Sequence, residues 1–171
     1  MLALFETLID ILRLKKGPDA IPYSPIVFGI VLVLWLFAGV VAMMLSPEFT
    51  DRDLLIALGT GFAVLAFYAG IVVVAGHRPR VLQTISAVLG CGALLTLLFV
   101  VSDTLLAPIL SQNLAGLIAT LILLWSIPVE GHIVARAIER PWLVGFAAAM
   151  TAFVLQYVLY AMLNPQVATA T

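Results

Sequence analysis

Glu130 and His132 stand close together in an otherwise apolar stretch, the run Trp125-Ser126-Ile127-Pro128-Val129-Glu130-Gly131-His132. An ionisable group held at membrane depth is a functional candidate by default, suited to ion or proton handling. Two positions apart on a regular helix, the carboxyl and the imidazole point to opposite sides. Pro128 and Gly131 offer a way to unwind the helix locally so that the two converge. His132, Arg136 and Arg140 share one helix face, and Arg136 and Glu139 are spaced to pair. With His77 and Arg78 from the turn at residues 76–80, the residues Glu130, His132 and Arg136 make a candidate polar site. Its chemistry would suit an anionic lipid headgroup, a metal or a transported proton. The alternative is that Glu130 neutralises a neighbouring arginine while His132 lies at headgroup level.

Other chemistries find less support. Two histidines and one glutamate reach the minimum of three ligands for a catalytic zinc. There is no His-Glu-x-x-His motif and no paired Cys-x-x-Cys, and no metal is expected. Gly-x-Ser-x-Gly, Walker A and dinucleotide glycine patterns are missing as well. No catalytic residue, no enzymatic activity and no cofactor are therefore expected. A haem would need His132 or His77 as an axial ligand. Cys91, the single cysteine, lies in an apolar run and reads as a small hydrophobe.

The elements that must position these residues follow from composition. Of 171 residues, 64% are hydrophobic and only 10% charged, against roughly 45–50% and 25% in a soluble domain. That excludes a soluble globular protein, and a net charge of −1 gives no footprint for nucleic acid. At about 20 residues per crossing, the apolar content supplies five membrane spans. They are expected at 26–45, 54–75, 81–101, 114–134 and 143–163. The fourth has a competing register, 105–127, which would bury Pro108, Gln112 and Asn113. The choice of 114–134 leaves Ser111, Gln112 and Asn113 as loop and cap, with Glu130 in the last turns.

Residues 1–16 are expected to form an amphipathic interfacial helix, with Phe5, Leu8, Ile9 and Leu12 on one stripe. Charge order argues against a signal peptide, because Arg13, Lys15 and Lys16 follow the apolar stretch. The helix would lie in the membrane interface or pack on the protein's own loops. Residues 17–25 form a proline-rich connector and 164–171 a tail. The fold class is thus all-α, a polytopic membrane bundle of five helices with a short amphipathic helix before it.

Seven of the eight basic residues share one side of this topology, and only Arg52 stands on the other. The positive-inside rule then places the amino terminus in the cytoplasm and the carboxyl terminus outside. Short loops and the excess of arginine over lysine point to a bacterial cytoplasmic membrane. Small residues at helical spacing, among them Gly61, Ala66, Gly70, Gly90, Gly145 and Ala149, are candidates for close helix packing, within the bundle or in an oligomer.

The basic turn leading into Leu82-Gln83-Thr84-Ile85-Ser86-Ala87, and Trp125 with the polar end that follows it, resemble bacterial Yip1-type five-span membrane proteins. The resemblance implies a non-enzymatic membrane organiser and carries over no site residues. The sequence lacks the long hydrophilic amino-terminal region of the eukaryotic members, so their GTPase-binding role is not carried over. Three functions are weighed on this basis. The first is an accessory or organising subunit whose partners are the bilayer and other membrane proteins or further copies of itself. The second is a small transporter or channel subunit using Glu130 and His132. The third is an intramembrane subunit that binds haem, quinone or lipid.

Overall fold

The computed structural model describes residues 2–45, 50–106, 109–110 and 112–164. All regular structure among them is helical. A short helix α1 (Leu2–Leu12) precedes five long ones: α2 (Pro25–Met44), α3 (Asp51–Val74), α4 (Val81–Leu106), α5 (Gln112–Ala137) and α6 (Trp142–Leu163). Each of the five is long and apolar enough to cross a membrane. Their outer faces carry large apolar side chains in the open, such as Val33 and Phe37 of α2, Leu117 and Leu121 of α5, and Val154 and Tyr157 of α6. Surfaces of that kind are solvated by lipid rather than water, and the chain is an integral membrane protein.

The helix limits follow local chemistry. Thr50 and Asp53 form a reciprocal capping box that starts α3: each side chain accepts from the other's backbone N–H. Gly76, at φ +86°, ends α3 in the left-handed conformation that glycine adopts at no steric cost. The His77 N–H then reaches back to the Val72 carbonyl. The fourth span proves longer than expected. Gln112 and Asn113 belong to α5 rather than to a loop, and the helix continues three residues past Val134 to Ala137. α4 likewise runs five residues beyond 101, through Ser102 and Thr104, with the Thr104 hydroxyl returned to the Val100 carbonyl. Pro108 and Ser111 lie outside the described residues.

Helices α3, α4, α5 and α6 form a ring of four, each packed on its two neighbours, and α2 lies outside the ring against α4. Trp35 of α2 wedges into the seam between α3 and α4. A Cβ on Gly61 would come within 3.1 Å of its ring and one on Gly92 within 3.7 Å. The tightest approach joins α5 to α6. There a Cβ on Gly145 would lie 2.0 Å from the Gly131 carbonyl oxygen and 2.7 Å from the Ala135 Cβ. Ala149 and Ala152 extend the same buried face of α6. Such backbone contact replaces the hydrophobic drive that helices lose in lipid. Ala66 and Gly70 depart from the expected packing within the chain. The buried stripe of α3 is Ile56, Thr60, Val64, Tyr68 and Val72, at intervals of four. Ala66 and Gly70 fall on the opposite side and are exposed.

α1 packs on α4 and α5. Its buried residues are Leu8 and Ile11, so the contact face is turned from the expected stripe and Phe5 is left 49% exposed. Leu8 sits on Gly90, where a Cβ would meet its Cδ2 at 2.7 Å. Gly90 lies nine residues into α4, about 13 Å of helix rise from its start. Leu14 adopts φ 60° just past α1, and the next N–H, that of Lys15, returns to the Asp10 carbonyl. The Lys16 ammonium, 2.8 Å from Asp10, holds that carboxyl below the usual carboxylate range.

Gly145→Leu is expected to separate α5 from α6 and destabilise the bundle by roughly 3 kcal/mol or more. Gly70→Leu, on the open face of α3, is expected to stay within about 0.5 kcal/mol of the parent. Unfolding titration in mixed micelles measures both.

Candidate functional site

Glu130 does not meet an arginine. Its Oε2 accepts a hydrogen bond from the Tyr68 hydroxyl at 2.5 Å, across the ring of helices from α5 to α3. Glu130 stands seven residues before the end of α5 at Ala137, and Tyr68 six before the end of α3 at Val74. These are about 10 Å and 9 Å of helix rise, so the two groups face each other at one level. Tyr68 is fully buried. A phenol is suited to this place because its ring packs against apolar neighbours while its hydroxyl serves one acceptor.

The pair divides the bundle into two unlike halves. Towards the end that carries Arg80, Arg136 and Arg140, the interior is filled by Val72, Ile85, Ala87, Ile133, Val134 and Ala137, with Ile11 and Ile21 packed onto it. Towards the opposite end the helices part around a cavity of about 550 Å³. Glu130 forms part of its wall. Trp35, Val64, Leu65, Val88, Leu95, Phe99, Ile122 and Leu123 give the wall its apolar character, and Thr96, Thr120, Ser126 and Gln156 add polar atoms. Phe99, Leu123 and Gln156 are also exposed, so the space is not sealed. Small-molecule sites are typically apolar cavities of about 300–1,000 Å³ with a few polar groups.

The other residues singled out from the sequence go elsewhere. α5 runs as one helix through Pro128 and Gly131, so Glu130 and His132 remain on different sides. His132 Nε2 lies 3.1 Å from the Lys16 carbonyl oxygen. Arg136 lies against Gly17, where a Cβ would come within 3.0 Å of the Arg136 Cβ. His77 pairs with Glu139 at 3.8 Å, and Arg78 is exposed in a 3-10 turn. None of His77, Arg78, His132 and Arg136 lines the cavity. The expected five-residue polar pocket is thus resolved into three separate settings. No group of three His, Cys, Asp or Glu side chains that could hold a metal occurs among the described residues.

Two of those settings tie the chain together. Along the amino-terminal segment, main-chain carbonyls are gripped by side chains of α4 and α5. Gln83 Nε2 donates to Ile21 at 2.6 Å and Trp125 Nε1 to Leu12 at 3.2 Å, with His132 at Lys16. Beyond α5, Glu139 takes φ 53°, a left-handed conformation that disfavours a side chain. Arg80 answers it with a hydrogen bond of 2.6 Å to Glu139 and one of 3.3 Å to the Ala137 carbonyl. The guanidinium holds the Glu139 carboxyl below the usual carboxylate range.

Tyr68, Trp35 and Gln83 carry much of this arrangement and were not among the candidate residues. The signal for Tyr68 was its position, since a hydroxyl in mid-span needs an acceptor that a nearby buried carboxyl can supply. Comparison of the chain with protein-family models, with curated proteins and with solved structures returned no match.

The lowered Glu139 value sets a direction for pH dependence. Its contribution to stability is complete above the ordinary glutamate value of about 4.3 and is lost as pH falls through the folded-state value. The stability gap between the parent and Glu139→Gln should therefore be constant near neutrality and close under acid, as read by thermal melts at stepped pH. A Trp125→Phe/His132→Ala double variant removes two holds on the amino-terminal segment, each worth about 1 kcal/mol. Trypsin is expected to cut it after Lys16 roughly tenfold faster or more than the parent.

Proposed function

We propose that this is a non-enzymatic integral membrane protein that binds a small lipophilic molecule in the cavity at the centre of its helix ring. The cavity is the observation that carries the reading: it has the volume and apolar wall of a ligand site, with a carboxyl group at its boundary. A haem is disfavoured for the same space, because neither imidazole reaches the wall. The basic end of the bundle is the cytoplasmic one, by the distribution of lysine and arginine. On this reading the amino terminus is cytoplasmic, the carboxyl terminus is outside, and the membrane is a bacterial cytoplasmic membrane.

A second reading keeps the role of organiser that the likeness to Yip1-type proteins implies. It is favoured by the exposed Ala66 and Gly70, which leave α3 thin on a lipid-facing side beside Phe67 and Ile71. Close approach by a helix from another chain is the use such a face suits. Cysteines placed there by Ala66→Cys and Gly70→Cys would cross-link to a neighbour in the native membrane if this role holds, and to nothing if it does not.

For the main reading, a lipophilic fluorescent probe titrated into protein in nanodiscs should bind saturably at one site per chain. Ala119→Phe, which fills the cavity from α5, should weaken that binding by about tenfold or more. Equal binding by the two proteins would refute the cavity as the site.

A further inference from the structure

We infer that the cavity is built for a lipophilic amine in its ammonium form, with Glu130 as the counter-ion. The inference rests on the ligand-site reading above and adds the chemical class of the ligand.

The hydrogen-bonding groups of the wall are unequal in kind. The Ser126 hydroxyl donates to the Leu123 carbonyl at 2.7 Å and the Thr120 hydroxyl to the Gly116 carbonyl at 2.8 Å. A hydroxyl has one proton and two lone pairs, so both side chains keep acceptor capacity only. The Tyr68 proton is committed in the same way to Glu130 Oε2. The donors left over are the Thr96 hydroxyl, the Gln156 amide and the Trp35 indole N–H, which make no hydrogen bond among the described residues. Against them stand the oxygens of Thr120, Ser126 and Gln156, and the carboxyl of Glu130, whose Oε1 has no partner among the described residues.

Charge points the same way. No Lys, Arg or His among the described residues lines the wall, so nothing in it offsets a carboxylate. Ionisable groups at membrane depth characteristically pair or mark a ligand path. An ammonium group would complete that pairing, and its several N–H donors suit a wall rich in acceptors. Trp35 and Phe99 add aromatic surface of the kind that attracts a cation. The apolar remainder of the ligand also has room. From Val88 to Phe99 the lining spans twelve residues of α4, about 16 Å. An anionic ligand would face an unscreened carboxylate, and a ligand with no N–H or O–H donor would leave Glu130 Oε1 unpaired.

The test is a series of three ligands with one body and different heads: phenylbutylamine, phenylbutanol and phenylbutyrate. Each is titrated near neutral pH into the full chain in zwitterionic nanodiscs, with empty nanodiscs as blank. The amine is expected to bind at least about tenfold more tightly than the alcohol, with the carboxylate weakest. In Glu130→Gln the amine's advantage over the alcohol should fall to within about threefold, and Glu130→Asp should restore it. If Glu130→Gln does not fold, the ranking of the three heads on the parent protein decides. Binding of all three with similar affinity, lost in Ala119→Phe, would overturn the amine inference and leave the ligand-site reading standing. Binding of none of them would overturn both. An amine preference that survives in a folded Glu130→Gln would overturn the role of Glu130.

Discussion

The contact between Gly145 and the Gly131 carbonyl governs much of this structure. With no Cβ on either residue, the backbones of α5 and α6 touch, and α5 has little freedom to rotate about its own axis. Gly131, Val134, Ala135 and Ile138 are buried as a consequence. Glu130 is the neighbour of Gly131, about 100° away around the helix, and is turned towards the interior. The bond to Tyr68 is then available because α3 closes the ring on the other side of α6. A packing contact thus fixes where the Glu130 carboxyl points.

The two halves of the bundle are packed differently. Below Glu130 the helices and the amino-terminal segment together fill the interior. Above it, α3 and α4 are held apart, and Trp35 from α2 enters the seam over Gly61 and Gly92. Residues that looked like candidates for chemistry at the basic end serve the first of these tasks. His132 and Trp125 bond main-chain carbonyls of the amino-terminal segment, while Arg80 and Glu139 join the two turns at that end. Polar side chains at these positions act as fasteners between backbones. Glu130, bonded to a phenol at a cavity wall, is the exception among them.

The opposite end is closed by a smaller set of contacts of the same kind. Arg52 donates to the Leu163 carbonyl at 2.9 Å, and Asn164 bonds Asp53 at 3.1 Å. They tie the start of α3 to the end of α6, neighbours in the ring. Arg52, the one basic residue on its side of the topology, is thereby used as a helix cap.

The sequence by itself determined the number of spanning helices, their order and six of their ten limits to within one residue. These depend on local quantities: runs of apolar residues and the glycine- and proline-bearing turn at 76–80. It also marked Glu130 as the group to explain, because a carboxyl in such a run is costly wherever it points. Rotation and partners were decided by tertiary structure. Ala66 with Gly70 and Gly145 with Ala149 read alike as small residues four apart, yet one pair faces outward and the other meets a helix. In α1, Phe5 and Ile11 are equally apolar, and packing on α4 selected Ile11. Helical periodicity defines a face without saying what lies opposite it. Tyr68 was therefore invisible as the partner of Glu130, since the two lie 62 residues apart and meet only when the ring closes.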